Sequence, residues 1–252
     1  MINESKINRL VQKPSKGLVL LSSWLLTEGY SYELQQRYRK SGWLKSIGHG
    51  AMIRTGDPLS LSGAISALQT QADSTIHIGG RSALELLGLS HYLQVNSREV
   101  TIFADGRFVC PSWFIKNKWD LEPKLNCLTI FDDFETGLVD YQDGELIMKI
   151  SSATRAMIEC LLLAPHQFSL YEAYEIMEGL TTLKPKQVQE LLIQCKSIKV
   201  KRLFLYFAEK AGHSWFKHID VNNIDLGAGN RSLVTDGVLV SKYQLVLPKD
   251  LV

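Results

Sequence analysis

Cysteine is scarce and scattered: Cys110, Cys127, Cys160 and Cys195 form no CxxC pair, and no histidine is spaced as a co-ligand. That argues against a zinc knuckle and fits the reduced thiols of a cytoplasmic protein. Long apolar runs are missing too. The longest candidate, Leu18 to Leu26, is broken by Ser22 and Ser23 and falls far short of the ~20 residues a membrane helix needs. The opening MINESKINRL has neither an apolar h-region nor a cleavage motif, so neither export nor membrane insertion is expected. The rest is ordinary for a globular protein: 45% hydrophobic and 21% charged residues in a chain of 252, enough for one large core or two.

Acidic residues are also lacking where basic ones gather. Residues 1–54 hold nine lysines and arginines against Glu4, Glu28 and Glu33, and after Glu33 no carboxylate follows until Asp57. This end carries a net +6 in a chain whose total is +2, leaving −4 for the remainder. A basic end on a mildly acidic body is either a nucleic-acid footprint or a solvated face.

The pattern of residues at that end favours the first reading. Ile2, Ile7, Leu10 and Val11 mark one face of a helix that Pro14 and Gly17 stop. Ser22 or Ser23 can cap a short helix through Trp24, Leu25 and Leu26, Gly29 can supply its left-handed end, and Ser31 can cap the next. Glycine between two short helices is the turn of a helix-turn-helix. In the helix after Ser31, Leu34 and Tyr38 face inward. Tyr32, Gln35, Gln36, Arg39 and Lys40 then share the outward side, with Arg37 at its edge. Gln pairs with adenine, Arg with guanine and Lys with phosphate, so this face suits a DNA groove.

Gly42 closes that helix and Trp43 is expected to bury its ring. Leu44 to Ile47 and Ala51 to Ile53 read as two strands around a Gly48-His49-Gly50 tip. Lys45, His49 and Arg54 lie along or beside this wing, within reach of backbone or minor groove. The GxG lacks the strand-to-helix setting of a phosphate loop. Residues 1–57 therefore read as a winged helix-turn-helix and residues 58–252 as a larger mixed domain, together an α+β protein. A winged helix binds DNA or serves as a protein-interaction module, and the pattern alone leaves both open.

The body is less explicit. Leu61, Ala64, Ile65 and Leu68 seam a helix, a strand through Ile76 and Ile78 runs into Gly79-Gly80-Arg81, and Ser82-x-x-Glu85 reads as a capping box. The glycine pair either holds an anion with Arg81 or allows a tight turn. Strands are expected at Val100–Phe103, Leu128–Phe131 and Leu146–Ile150, with Trp113, Phe114 and Trp119 packed on their sheet. The acids Asp132, Asp133, Glu135, Asp140, Asp143 and Glu145, with Lys149, raise a metal-dependent nuclease as an alternative, but no D…(D/E)xK spacing is present.

From Ser151 the chain turns helical, with helices seamed by Ala156, Met157 and Cys160, capped at Ser169, opened by Pro185, and continued through Val200–Ala211. Val238–Val240 and Tyr243–Leu247 close it as strands. Lys196, Lys199, Lys201 and Arg202 cluster near a helix start, where the dipole disfavours cations; either a partner anion or a solvated loop accounts for that. His213 and His218 read as packing and surface residues.

The run LLSSWLLTEGYSYELQQRYRKSGWLKSIGHGAMIRTGDP, followed by IHIGGRSALELLGLSHYL, resembles the N-terminal part of AbiEi-family antitoxins, the transcriptional regulators of type IV toxin–antitoxin systems. The likeness continues in CKSIKVKRLFLYFAEKAGHSWF and LGAGNRSLVTDGVLVSKYQLVLP, and is least telling over Arg98–Tyr141. The resemblance implies autorepression at inverted repeats in the promoter of the protein's own operon. It also implies that the larger domain counteracts a nucleotidyltransferase-like toxin without a stable toxin–antitoxin complex. The expected DNA-binding set is Ser31, Tyr32, Gln35, Gln36, Arg37, Arg39, Lys40, Lys45, His49 and Arg54. Gln35 and Gln36 read bases in this scheme, and Arg39, Lys40 and Lys45 hold backbone. His49 stands at the wing tip, where a lysine or arginine would bind phosphate more firmly. Lys199, Lys201, Arg202 and Arg231, the last through the family-like LGAGNR segment, form a second candidate surface. No catalytic residue, metal or cofactor is expected.

Overall fold

The computed structural model describes residues 6–12, 14–89 and 98–252. Ile2, Lys13, the Val11 side chain and the SHYL end of the family-like second run lie outside the described residues. The chain divides into two compact units. One comprises Met1–His77, Ser97–Leu128 and Asp140–Ile150; the other comprises Ile78–Asn96, Thr129–Val139 and Ser151–Val252. The expected boundary at Asp57 is therefore not where the contacts divide, because the first unit recruits strands from far along the chain.

The first unit begins with α1 (Lys6–Gln12), β1 (Leu20–Leu21), α2 (Ser22–Thr27), α3 (Tyr32–Lys40), β2 (Leu44–Gly48) and β3 (Ala51–Arg54). The strands form an antiparallel sheet in the order β1-β3-β2, with Leu20 opposite Met52 and Leu44 opposite Arg54. Leu10, Leu20, Leu25, Tyr30, Tyr38, Leu44 and Met52 make one apolar core beneath the helices. This is a winged helix-turn-helix, as the glycine spacing predicts.

After α4 (Leu61–Ala72), capped by the Ser60 hydroxyl, the chain enters β4 (His77–Ile78) and passes to α5 (Gly80–Leu86) of the second unit. It then supplies β5 (Glu99–Ala104), α6 (Ser112–Lys116), β6 (Glu122–Cys127), β7 (Leu138–Asp143) and β8 (Leu146–Ser151). These strands form a five-stranded sheet ordered β6-β5-β4-β8-β7, in which β5 and β6 run parallel. Gln69 of α4 is tied to the sheet, its amide donating to the Ile76 and Lys149 carbonyls at 2.7 and 2.9 Å.

Two strand expectations shift. The third sheet segment is Glu122–Cys127 rather than Leu128–Phe131, and Ile130 and Phe131 are buried in the core of the second unit instead. β7 precedes the expected turn at Asp143-Gly144 but had no apolar alternation to reveal it. Trp113, Phe114 and Trp119 do cluster, with ring centroids 5.4–6.1 Å apart.

The second unit is mainly helical: α5, α7 (Ala153–Leu163), α8 (Leu170–Gly179), α9 (Pro185–Gln194) and α10 (Ile198–Lys210). They are followed by 3-10 turns and a small sheet of β9 (Arg231–Ser232), β10 (Val238–Val240) and β11 (Leu245–Leu247). Ser152, Ser169 and Ser197 cap α7, α8 and α10 through their hydroxyls, and Pro185 opens α9. The Ser82 capping box is corrected: α5 begins three residues earlier, with Gly79 as its cap, so Ser82 is helical and Glu85 pairs with Arg81 at 2.8 Å. Among the described residues no helix is long and apolar enough to cross a membrane.

Candidate nucleic-acid interface

The helix-turn-helix owes its geometry to a few backbone groups. Gly29 adopts φ +83°, which a residue with a side chain disfavours. The chain can therefore reverse so that Tyr30 N donates to the Leu25 carbonyl at 2.8 Å. Ser31 then caps α3, its hydroxyl accepting from Leu34 N. Ser22 and Ser23 do not cap α2, whose cap position is Leu21 without a side-chain bond. The Ser22 hydroxyl is used elsewhere, and this corrects the reading of the recognition helix.

Gln35 is not on the outward face. It is 2% exposed, and its amide nitrogen donates to the Ser22 and Tyr30 carbonyls at 3.1 and 2.8 Å while its oxygen accepts from the Ser22 hydroxyl. A polar side chain is buried only when such bonds replace water. Here it does so by filling the joint between α2 and α3. Its donors and acceptor are committed inside the protein, leaving Gln36 as the glutamine that faces outward.

Between α3 and the wing lies a cleft of about 730 Å³. Tyr32, Glu33, Gln36 and Arg39 line its helical side, and Ser46 and His49 line its wing side, with Ser23 of α2 at one end. Tyr32 is 62% exposed there. Five of the expected residues are thus brought together: Tyr32, Gln36, Arg39 and His49, with Gln35 buried at the floor. Arg37, Lys40 and Lys45 are exposed but do not line the cleft. Arg54 is engaged at the base of the wing, its guanidinium 2.8 Å from the Asp57 carboxylate, which also accepts from Gly17 N. That position braces the fold. Ser31 acts as the cap. Trp43, expected to be buried, is 51% exposed.

The wing is held from behind by α6. A Cβ on Gly48 would lie 2.7 Å from the Trp113 Cβ, and the Asn117 amide donates to the Ile47 carbonyl at 2.6 Å. Glu33, Ser23 and Ser46 line the cleft although sequence reasoning passed over them. The available signal was Glu33 itself, the one carboxylate in α3.

The second candidate surface resolves differently. Arg202 is 1% exposed and donates to the carbonyls of Leu226, Gly227, Gly229 and Gln244 and to the Gln244 amide oxygen, at 2.6–3.2 Å. The glycine-rich LGAGNR segment is a carbonyl cage around this guanidinium. Lys201 is also buried, reaching the Asp225 carbonyl, and Lys199 reaches the Leu162 and Ala164 carbonyls. Burial pulls the Lys199 ammonium below the ordinary lysine range. These three cations hold backbone together and do not form a surface; of the set only Arg231 is exposed.

Of the two readings left open for Gly79-Gly80-Arg81, the glycine pair makes the strand-to-helix turn, and the anion against it is a side chain of the protein. Gly80 N donates to the Glu159 carboxylate at 2.8 Å, which also accepts from the Ser151 hydroxyl and pairs with buried Arg155 at 2.9 Å. Arg81 pairs with Glu85 and Glu172. Among the described residues no three His, Cys, Asp or Glu side chains are grouped as metal ligands would be.

Comparisons with known proteins agree over nearly the whole length. The model of the AbiEi antitoxin N-terminal domain, a transcriptional regulator, matches residues 3–95. That of the transcriptional regulator AbiEi antitoxin of type IV toxin–antitoxin systems matches residues 97–248. No curated protein matches the chain. The crystal structure of the RV2827C protein from Mycobacterium tuberculosis is similar in fold, with a TM-score of 0.59 at 13% identity, over 95% of this chain and 89% of that one. The chain belongs to the AbiEi antitoxin family of transcriptional regulators of type IV toxin–antitoxin systems.

Proposed function

We propose that the protein binds operator DNA through α3 and the wing and represses its own operon. Beyond the winged helix, the chain counteracts a nucleotidyltransferase-like toxin. The observation that carries the DNA reading is the cleft, which presents Tyr32, Gln36 and Arg39 on one wall and His49 on the other. α3 is the recognition helix of the motif, the element that enters a major groove.

The roles follow from chemistry. Gln36 offers the donor and acceptor that pair with an adenine edge. Arg39 lies one helical turn further on and reaches a guanine or a phosphate. Arg37, Lys40 and Lys45, exposed around the cleft, supply the salt-dependent attraction to backbone. Inverted repeats in the operator would be met by two copies of the chain, one per half-site.

The test is a gel shift with the duplex upstream of the protein's own reading frame. Arg39→Ala is expected to weaken binding and to flatten its dependence on salt, by about one unit of log slope, while toxin neutralisation in cells survives. Unchanged binding would remove Arg39 from the interface. Coelution of the wild-type protein with the toxin, with no shift of any duplex, would establish the winged helix as a protein-interaction module instead.

A further inference from the structure

The cleft holds one carboxylate, and a surface that only gripped phosphate would have no use for it. Glu33 lines the helical wall beside Tyr32 and Gln36. It stands in the first turn of α3, the part of a recognition helix that reaches base edges. No ion pair among the described residues includes it. Hydrogen bonds from the Ser31 hydroxyl and from its own backbone amide hold its carboxyl below the ordinary value, so it is ionised at neutral pH.

An ionised carboxylate accepts hydrogen bonds and donates none. In the major groove guanine offers the acceptors N7 and O6, thymine offers O4, and adenine sets N7 beside its amino group; cytosine is the base whose own edge offers a donor and no acceptor. Phosphate repels a carboxylate at every position. A residue with these properties strengthens one arrangement of DNA and weakens the rest, and specificity is that difference.

We propose that Glu33 determines the sequence specificity of this site, accepting from the N4 amino group of a cytosine and penalising duplexes that lack one there. The inference rests on the DNA-binding reading above. It assigns opposite work to two residues of α3: Arg39 attracts DNA, and Glu33 restricts which DNA profits.

The experiment compares wild type, Glu33→Gln, Glu33→Ala and Arg39→Ala against a randomised duplex library and a fixed duplex of unrelated sequence, with thermal melting of each protein. Wild type is expected to select a C·G pair at one position of its site. Glu33→Gln keeps a hydrogen-bonding group of the same size without the charge. It should lose that preference by roughly 5- to 150-fold and bind the unrelated duplex more tightly at low salt. Retained preference for C·G in both Glu33 variants overturns the proposal, including the case in which Glu33→Ala only melts earlier and Glu33 is shown to be a capping residue. If folded wild type shifts no duplex at all, the DNA reading fails and the assignment of Glu33 falls with it. Loss of binding confined to Arg39→Ala, with Glu33→Gln selecting as wild type does, sinks the Glu33 assignment alone.

Discussion

The Ser22 hydroxyl donates to the Gln35 side-chain oxygen at 2.5 Å, tying the first residue of α2 to the fourth of α3. The same glutamine closes onto the Tyr30 carbonyl, so one side chain fixes both helices and the turn between them. The angle at which α3 would meet DNA is set inside the protein.

Gln35→Leu should therefore act on stability. It leaves the Ser22 and Tyr30 carbonyls without this donor, at a cost of about 1–3 kcal/mol for a buried polar group. A lowered melting temperature, with any loss of DNA binding tracking the unfolded fraction, is the expected result. A variant as stable as wild type that fails to bind would put Gln35 back among the base readers.

Gly48→Ala should disturb the wing. Gly48 has φ +144° and backs directly onto Trp113, so a methyl group meets both backbone strain and a clash. The expected outcome is a destabilised first unit and weaker DNA binding, with Gly50→Ala milder because no atom lies within 4 Å of its added Cβ. Limited proteolysis at the hairpin distinguishes the two.

Arg202→Lys is a severe substitution despite keeping the charge. The planar fork of arginine serves five acceptors here, and an ammonium cannot reach them all. Arg202 is itself 1% exposed, and hydrogen bonds to a charged group contribute about 1.5–3 kcal/mol each, so a large fall in denaturation midpoint is expected, without any specific effect on DNA. Arg231→Ala, on an exposed side chain, should leave stability nearly unchanged.

Glu209 gives the second unit a contribution that depends on pH. Burial pushes its carboxyl up, but hydrogen bonds from Lys242 and Tyr243 and the Lys242 charge outweigh it and leave it below the ordinary value. A lowered folded-state pKa stabilises fully above the unfolded value and is lost as pH falls through the folded one. Glu209→Gln should therefore melt below wild type near pH 7, by about 1 kcal/mol or less for so exposed a pair. The gap should close as the pH falls below the ordinary carboxylate range and through the lowered folded-state value. A gap independent of pH would assign the effect to packing.

Much of the fold is local and was legible as such. Ser31 before a polar helix, Gly29 at a turn and a glycine-flanked wing tip each carry their conformational instruction within a few residues, and α3, β2 and β3 fall within a residue of their expected ends. β7 was missed because a half-exposed edge strand, Leu138–Asp143, shows no strict alternation. The first unit also takes in strands from far along the chain, and such recruitment leaves no mark in the local sequence.

The sequence by itself determined the winged helix, the basic character of its end and the family, because helical period, turn glycines and charge are properties of neighbouring residues. Which polar side chains face outward was decided by tertiary structure alone. Gln35 and Gln36 are adjacent and chemically identical, yet Gln35 is buried with its amide committed to carbonyls at the cleft floor and Gln36 is exposed in the same cleft. Lys201 and Arg202 look like a basic surface, yet each is buried by backbone oxygens brought from residues 225–244. A hydrogen-bonding group goes wherever its partners are, and those partners are placed by the fold.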